Sequence, residues 1–152
     1  MDKNDLSIIR HLLQSGRATW AELANLVGLT PPAVAERVRK LEDSGVITGY
    51  AALGNPLLLG CSVAAFISVT LEHPRYRSDF LHLTQTQSLV MECHHVAGEA
   101  DYILKVRCRT TAELETFISE TLKALPGISR TRTTVILSSS KENPRLPLGD
   151  DA

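Results

Sequence analysis

The sequence has few aromatic residues, few cysteines, no long apolar run and almost no net charge. One Trp, three Phe and three Tyr leave aliphatic side chains to build most of any core. Cys61, Cys93 and Cys108 are odd in number, widely spaced and each set in a strand-like run, which favours reduced core thiols over disulfides. A net charge of −1 excludes a protein that binds nucleic acid through bulk positive charge.

Membrane and export signals are also missing from the sequence. No apolar run approaches the ~20 residues that a spanning helix needs, and the opening MDKND lacks the apolar core of a signal peptide. We therefore expect a cytoplasmic protein with no membrane partner. A chain of 152 residues suits one domain or two small ones.

The stretch from Trp20 to Val46 predicts two short helices joined by a tight turn. Gly28 can take the left-handed conformation that ends a helix. Thr30 can cap the next helix, and Pro31 and Pro32 suit its first turn. This arrangement is typical of a helix-turn-helix, although short helix pairs also occur as ordinary packing.

The second helix of the pair would bury Val34, Val38 and Leu41 and turn its other face outward, towards a DNA groove. We expect Arg37 and Lys40 to reach base edges or phosphates together, and Arg17 and Arg39 to contact phosphates. The residues expected to meet DNA are Arg17, Thr30, Pro32, Ala33, Glu36, Arg37, Arg39 and Lys40. Residues 1–50 hold as many acidic as basic side chains, so one copy should bind weakly.

The pair is expected to belong to a winged helix-turn-helix domain over residues 1–50. Residues 2–15 predict a first helix capped by Asp2, and 46–50 predict a strand that would form the wing. The small core of this domain is expected to include Trp20, Leu23, Val34 and Leu41.

A second domain is expected at 61–138, after an extended linker at 51–60 and before a tail at 139–152. Its patterns predict strand, helix, strand, strand, helix and strand, the split βαβ order called ferredoxin-like. The fold class is therefore α+β. We expect helices on one face of the sheet and Ala65, Ile67 and Val69 on the other, where a second copy would cover them.

The triplet Cys93-His94-His95 raises the possibility of a metal site, because thiolate and imidazole are zinc ligands. In a strand, however, His94 points away from its two neighbours. We therefore favour an ordinary strand and expect no metal.

Several motifs occur together in a characteristic order: GR before ELA, VGLTPPAV, ERVRKLEDSGVITGY, VAGEADYILKV, LPGI and TRTTVIL. In this combination the chain resembles the Lrp/AsnC family of transcription regulators, from Asp2 to about Leu137. The resemblance implies a regulator of double-stranded DNA that senses amino acids without a cofactor. It also implies dimers paired through their sheets and assembly to octamers.

The resemblance also places an effector site at the loop Gly98-Glu99-Ala100-Asp101. Backbone N–H groups near Gly98 would hold a carboxylate while the Asp101 side chain receives an ammonium group. An ordinary hairpin turn is the alternative. The family pattern adds further lining residues, which are His95, Thr111, Thr133, Thr134, Val135 and Ile136.

Two other functions compete with a ligand-responsive regulator. Sirohaem decarboxylases resemble this family in fold, and the histidine pair keeps an enzyme in view. The second alternative is a regulator that lacks ligand sensing and acts as an architectural DNA protein. The outward cations and the Gly98–Asp101 loop favour a regulator that is not an enzyme.

Overall fold

The computed structural model describes residues 1–148, and the chain forms two compact units. The first contains residues 1–53 and the described part of the tail from Lys141, and the second contains residues 54–140. The acidic end of the predicted tail, residues 149–152, lies outside the described residues. No helix among residues 1–148 is long and apolar enough to cross a membrane.

Three helices form the first unit: α1 Lys3–Gln14, α2 Trp20–Val27 and α3 Pro31–Asp43. Both α1 and α2 begin with a capping box, in which the cap side chain and the residue three positions later bond each other's backbone N–H. The core of this unit consists of Ile8, Leu23, Ala24, Val34 and Val38.

Trp20 does not belong to this core. Trp20 is 45% exposed at the first residue of α2, although its i, i+3 and i, i+4 spacing places it on the same helical face as the buried Leu23 and Ala24. The prediction that Trp20 is a core residue is therefore wrong, whereas those for Leu23, Val34 and Leu41 are confirmed.

Residues 46–50 form turns and loop instead of the predicted strand. A strand needs a partner for its backbone groups, and no described segment pairs with this one. The segment is held to the helices in another way. The Ile47 N–H donates to the Leu41 carbonyl at 3.0 Å, and the Tyr50 hydroxyl donates to Glu42 at 2.9 Å.

Part of the predicted extended linker is folded into a turn. The Asn55 side chain accepts hydrogen bonds from the N–H groups of Leu57 and Leu58, and the Cys61 N–H donates to the Pro56 carbonyl. Asn55-Pro56 is a sequence that starts a turn, so residues 56–60 are not extended.

The second unit contains strands β1 Val63–Leu71, β2 Val90–His95, β3 Tyr102–Cys108 and β4 Ile128–Ile136. All pairings are antiparallel and the spatial order is β2-β3-β1-β4, the ferredoxin-like arrangement. Helix α4 Arg77–Thr86 follows a 3₁₀ turn, Pro74–Tyr76. The second helix predicted for this domain is α5 Thr111–Thr116, continued by π-helical turns Phe117–Leu122.

Helices cover the face of the sheet that carries Ala65, Ile67 and Val69, opposite to the prediction. All three are fully buried and pack with Phe80, Phe117 and other helix side chains. Alternation separates the residues of β1 into two sets without saying which set meets the helices. Ser68 and Thr70 mark the open face, which also carries Ala64 and Phe66.

Candidate DNA-binding face and effector pocket

The turn between α2 and α3 has the geometry that the sequence predicts. Gly28 closes α2 with φ +67°, a left-handed conformation, and the Thr30 hydroxyl accepts the Ala33 N–H at 3.4 Å to cap α3. Because the cap uses one lone pair of the Thr30 hydroxyl, its proton and its second lone pair remain for DNA. Pro32 and Ala33 lie exposed beside it at the start of α3.

Four charged side chains of α3 form a network on its exposed surface. Arg39 makes ion pairs with Glu36 at 2.7 Å and Asp43 at 3.0 Å, and Lys40 lies 3.7 Å from Glu36. The Arg39 hydrogen bond lowers the pKa of Glu36, so this carboxylate stays ionised. Each of these exposed ion pairs contributes little to stability, so Arg39 and Lys40 can leave their carboxylate partners and bind a phosphate.

Arg37 has a different environment from its neighbours on α3. Its guanidinium donates to Asp2 and to Asp5 of α1, each at 2.8 Å. The side chain of Asp5 is only 14% exposed. Asp5 and then Asp2 raise the pKa of Arg37, while the Asp5 N–H and then Arg37 lower the pKa of Asp2. Arg37, predicted on the outward face of α3, is only partly exposed, because Asp5 of α1 and the cap residue Asp2 bind its guanidinium.

An open concavity of about 560 Å³ lies between α1 and α3. Its lining includes two cations, Arg37 and Lys40, and two anions, Asp5 and Glu36. The charges balance, so the face offers no strong positive potential. Arg17 is exposed and makes no ion pair with any residue in 1–148, which leaves its charge available.

A second pocket, of about 260 Å³, lies on the open face of the sheet at one end of the strands. Gly98, Glu99 and Ala100 of the predicted effector loop contribute to its wall. The other lining residues come from the strands and the start of the loop: Ser68, Thr70, Val96, Ala97, Ile103, Arg130 and Arg132. Sequence reasoning missed both arginines, although their i, i+2 spacing on a predicted strand places them on one face.

Asp101 closes the loop and does not line the pocket. Its carboxylate accepts the Leu71 N–H at 2.8 Å, and its own N–H donates to the Val69 carbonyl at 3.0 Å. The backbone N–H groups of residues 97–100, by contrast, donate no hydrogen bond within the described chain. Asp101 thus fixes the loop, and the loop's free N–H groups remain for a ligand.

The other predicted effector residues are not gathered at this pocket. Thr111 and Ile136 lie at the opposite end of the sheet, since Ile136 pairs with Ala64 whereas the loop bonds Leu71. Seven strand residues span about 23 Å. Thr134 shares the open face with Ile136, while Thr133 and Val135 alternate to the other face. His95 stacks against Tyr102 with ring centroids 5.0 Å apart.

The cysteine and histidine triplet is divided between the two faces of the sheet. Cys93 packs against the helix-covered core, where burial raises its pKa, and His94 bonds Glu92 on the open face at 3.1 Å. Across residues 1–148, no three His, Cys, Asp or Glu side chains are grouped to hold a metal ion.

A capped helix-turn-helix followed by a sheet domain with a small-molecule pocket defines a ligand-responsive DNA-binding regulator. The profile described as a winged helix-turn-helix DNA-binding domain matches residues 1–48, and that of the Lrp/AsnC ligand-binding domain matches residues 64–146. The chain belongs to the Lrp/AsnC family of transcription regulators, as the sequence motifs indicate.

Relatives support this assignment over nearly the whole chain. The leucine-responsive regulatory protein of Klebsiella pneumoniae is 38% identical over 148 residues, covering 96% of this chain and 90% of the relative. A transcriptional regulator from Neisseria meningitidis, solved with L-methionine, has a TM-score of 0.90 and 30% identity, covering 97% of this chain and 96% of its own. A feast or famine regulatory protein of Mycobacterium tuberculosis, also with L-methionine, has a TM-score of 0.87 and 35% identity, covering 95% and 97%.

Proposed function

We propose that this regulator binds double-stranded DNA through the exposed face of α3 and that an amino-acid-like effector in the sheet pocket modulates the binding. The single observation that carries the DNA contact is the turn between α2 and α3. Its left-handed Gly28 and Thr30 cap fix the angle at which α3 presents an exposed face containing Arg39 and Lys40.

The residues of this face have different proposed roles. Lys40 and Arg39 exchange their bonds to Glu36 for phosphate oxygens, and Arg17 contacts a phosphate with a charge that no described residue neutralises. Pro32 and Ala33 offer apolar contact to thymine methyl groups, and Thr30 and Glu36 supply the polar contacts. Arg37 positions α1 against α3 and reaches DNA only if it leaves Asp2 and Asp5.

The effector is proposed to lie against the Gly98–Ala100 loop, where the unbonded N–H groups of 97–100 can receive a carboxylate. Methionine, bound in the two solved relatives, supports an amino acid as the ligand class. Asp101 acts by fixing the loop. Thr111 and Ile136 belong to this site only if a second copy brings them to it, since about 23 Å of strand separates their end of the sheet from the loop. Thr133, Thr134 and Val135 follow Arg132 on β4 without lining the pocket, and they are assigned to the site on the same condition.

Self-association is proposed to bring several helix-turn-helix domains onto one DNA. The neutral charge balance around α3 gives a single copy little affinity, and linked copies gain by effective concentration. Half-sites would then lie about 34 Å or a multiple apart. We place the protein in the cytoplasm, where its DNA is, and assign it no catalytic step.

DNA binding is tested with duplexes selected by the purified protein from a random pool, using fluorescence anisotropy. Lys40→Ala should weaken binding about fivefold or more and reduce the slope of log affinity against log salt. Lys123→Ala removes another exposed cation, from the second unit, and should change neither. Equal affinities of the two variants would contradict a DNA-binding role for the α3 face.

A further inference from the structure

We propose that the sheet pocket selects an acidic amino acid, one whose side chain carries a second carboxylate. This inference rests on the proposed function, because it assumes that an amino acid is the effector. It concerns the part of the ligand that distinguishes one amino acid from another.

Two arginines enter the pocket from the same strand. In the register of β1 and β4, Arg130 lies opposite Thr70 and Arg132 lies opposite Ser68. Both arginines are therefore on the open face, two residues apart. That spacing corresponds to about 7 Å. The two guanidinium groups can therefore reach one small ligand from the same side, and each is able to bind a carboxylate through two parallel N–H donors.

Within residues 1–148, the positive charge of these arginines is neutralised only in part. Arg130 makes no ion pair with any residue of 1–148. Arg132 has one carboxylate nearby, that of Glu99 at 3.8 Å, and this pair is weak because the two side chains are 69% and 88% exposed. Two arginines and one glutamate leave a local charge of +1, which is complementary to the −1 of glutamate or aspartate at neutral pH.

The pocket also has the size and polarity for such a ligand. A volume of about 260 Å³ admits one amino acid. Ser68 and Thr70 add hydroxyl groups, and the unbonded N–H groups of residues 97–100 add donors for the α-carboxylate. Glu99 is the acceptor for the α-ammonium group. Val96 and Ile103 are the large aliphatic side chains in the lining and would contact the methylene groups of the ligand, while the two arginines distinguish a charged side-chain end from an apolar one.

The inference is tested by isothermal titration of the full chain with L-glutamate, L-aspartate, 2-oxoglutarate, L-glutamine, L-leucine and L-methionine. Glutamate or aspartate should bind, and glutamine should bind at least about tenfold more weakly, because it lacks the second charge. Arg130→Gln should abolish this preference. Arg77→Gln is the matched control, an exposed arginine on α4, and should leave it intact.

Blocking the pocket with a side chain tests whether the amino acid binds there or elsewhere on the protein. Gly98→Leu places a side chain where an added Cβ meets no atom within 4 Å and where φ is not left-handed, so the fold should tolerate it. This variant should lose binding of every amino acid. Retention of its glutamate binding would overturn the site.

The remaining outcomes separate this inference from the proposed function. Binding of leucine or methionine in preference to glutamate, unchanged by Arg130→Gln and lost in Gly98→Leu, would overturn the acidic ligand and keep the amino-acid effector. No binding of any amino acid would overturn both. Binding of 2-oxoglutarate as tight as that of glutamate would overturn the role of Glu99 and the requirement for an amino group.

Discussion

Arg37 has a sequence position typical of a DNA contact, but its ion pairs stabilise the fold of the first unit. It lies on α3 among exposed cations, yet its guanidinium bonds Asp5 of α1 and Asp2, the cap of α1. Asp2 and Asp5 also form the capping box of α1, so one cluster starts that helix and attaches it to α3. The positive charge of Arg37 is consequently neutralised within the domain by these two carboxylates.

Arg37→Ala is therefore expected to lower the melting temperature of the protein by several degrees, because it leaves Asp5, a half-buried carboxylate, without its cation. Arg39→Ala is the matched control. Arg39 bonds only Glu36 and Asp43 on its own helix, at positions more exposed than Asp5, and its loss should change the melting temperature little. Equal melting temperatures in differential scanning calorimetry would show that the α1 carboxylates do not depend on Arg37.

The same residue marks a limit of sequence reasoning. Thr30, Gly28 and the buried Val34, Val38 and Leu41 were predictable, because each depends on neighbours within one or two helical turns. The partners of Arg37 lie 32 and 35 residues earlier in the chain. A contact of that kind has no local pattern, so only the folded domain reveals it.

At the scale of elements, Gly28 decides where α2 ends and α3 can begin. Its φ of +67° lies in the left-handed region, which costs a residue with a Cβ roughly 1 kcal/mol. An added Cβ would meet no atom within 4 Å, so backbone conformation is the only penalty. The next residues then place the Thr30 cap at the start of α3.

Gly28→Ala is expected to reduce the free energy of unfolding by about 1 kcal/mol, and Gly28→Asn by less, because asparagine tolerates this conformation better. Gly16→Ala is the control, since Gly16 lacks a left-handed φ and has room for a Cβ. Urea denaturation followed by circular dichroism measures all three. A loss in Gly16→Ala as large as that in Gly28→Ala would contradict the conformational cause.

The elements of the second unit were predicted more fully than its surfaces. The order of its strands and helices, with β2 and β3 consecutive, followed from alternation and turn residues. The face of β1 that meets the helices did not, because both sets of its side chains contain apolar residues. The pocket was foreseen at the Gly98 loop but not at Arg130 and Arg132, which reach it from a strand about 30 residues later.

At the scale of the whole molecule, charge and apolar surface both favour an assembly over a single copy. The proposed DNA-binding face carries balanced charges, and the open face of the sheet leaves Phe66 42% exposed on the central strand β1. Ala64 and Ile136 share that face beside Phe66, whereas Ser68 and the two pocket arginines lie towards the other end. Two sheets can therefore pair through the apolar part and leave the pocket end accessible.

Phe66→Glu is expected to shift the protein to a smaller species in size-exclusion chromatography with light scattering, because it places a charge in the centre of this apolar area. Phe66 is not a pocket residue, so the variant should still bind the small-molecule effector in calorimetry unless a second copy completes the site. Leu26→Glu is the control: Leu26 is 51% exposed on α2, outside the sheet, and should not alter the mass. If Phe66→Glu kept the wild-type mass, the open sheet face would not be the pairing surface. If it became smaller and also lost the effector, Thr111 and the residues of β4 beyond the pocket would be the partner's contribution to the site.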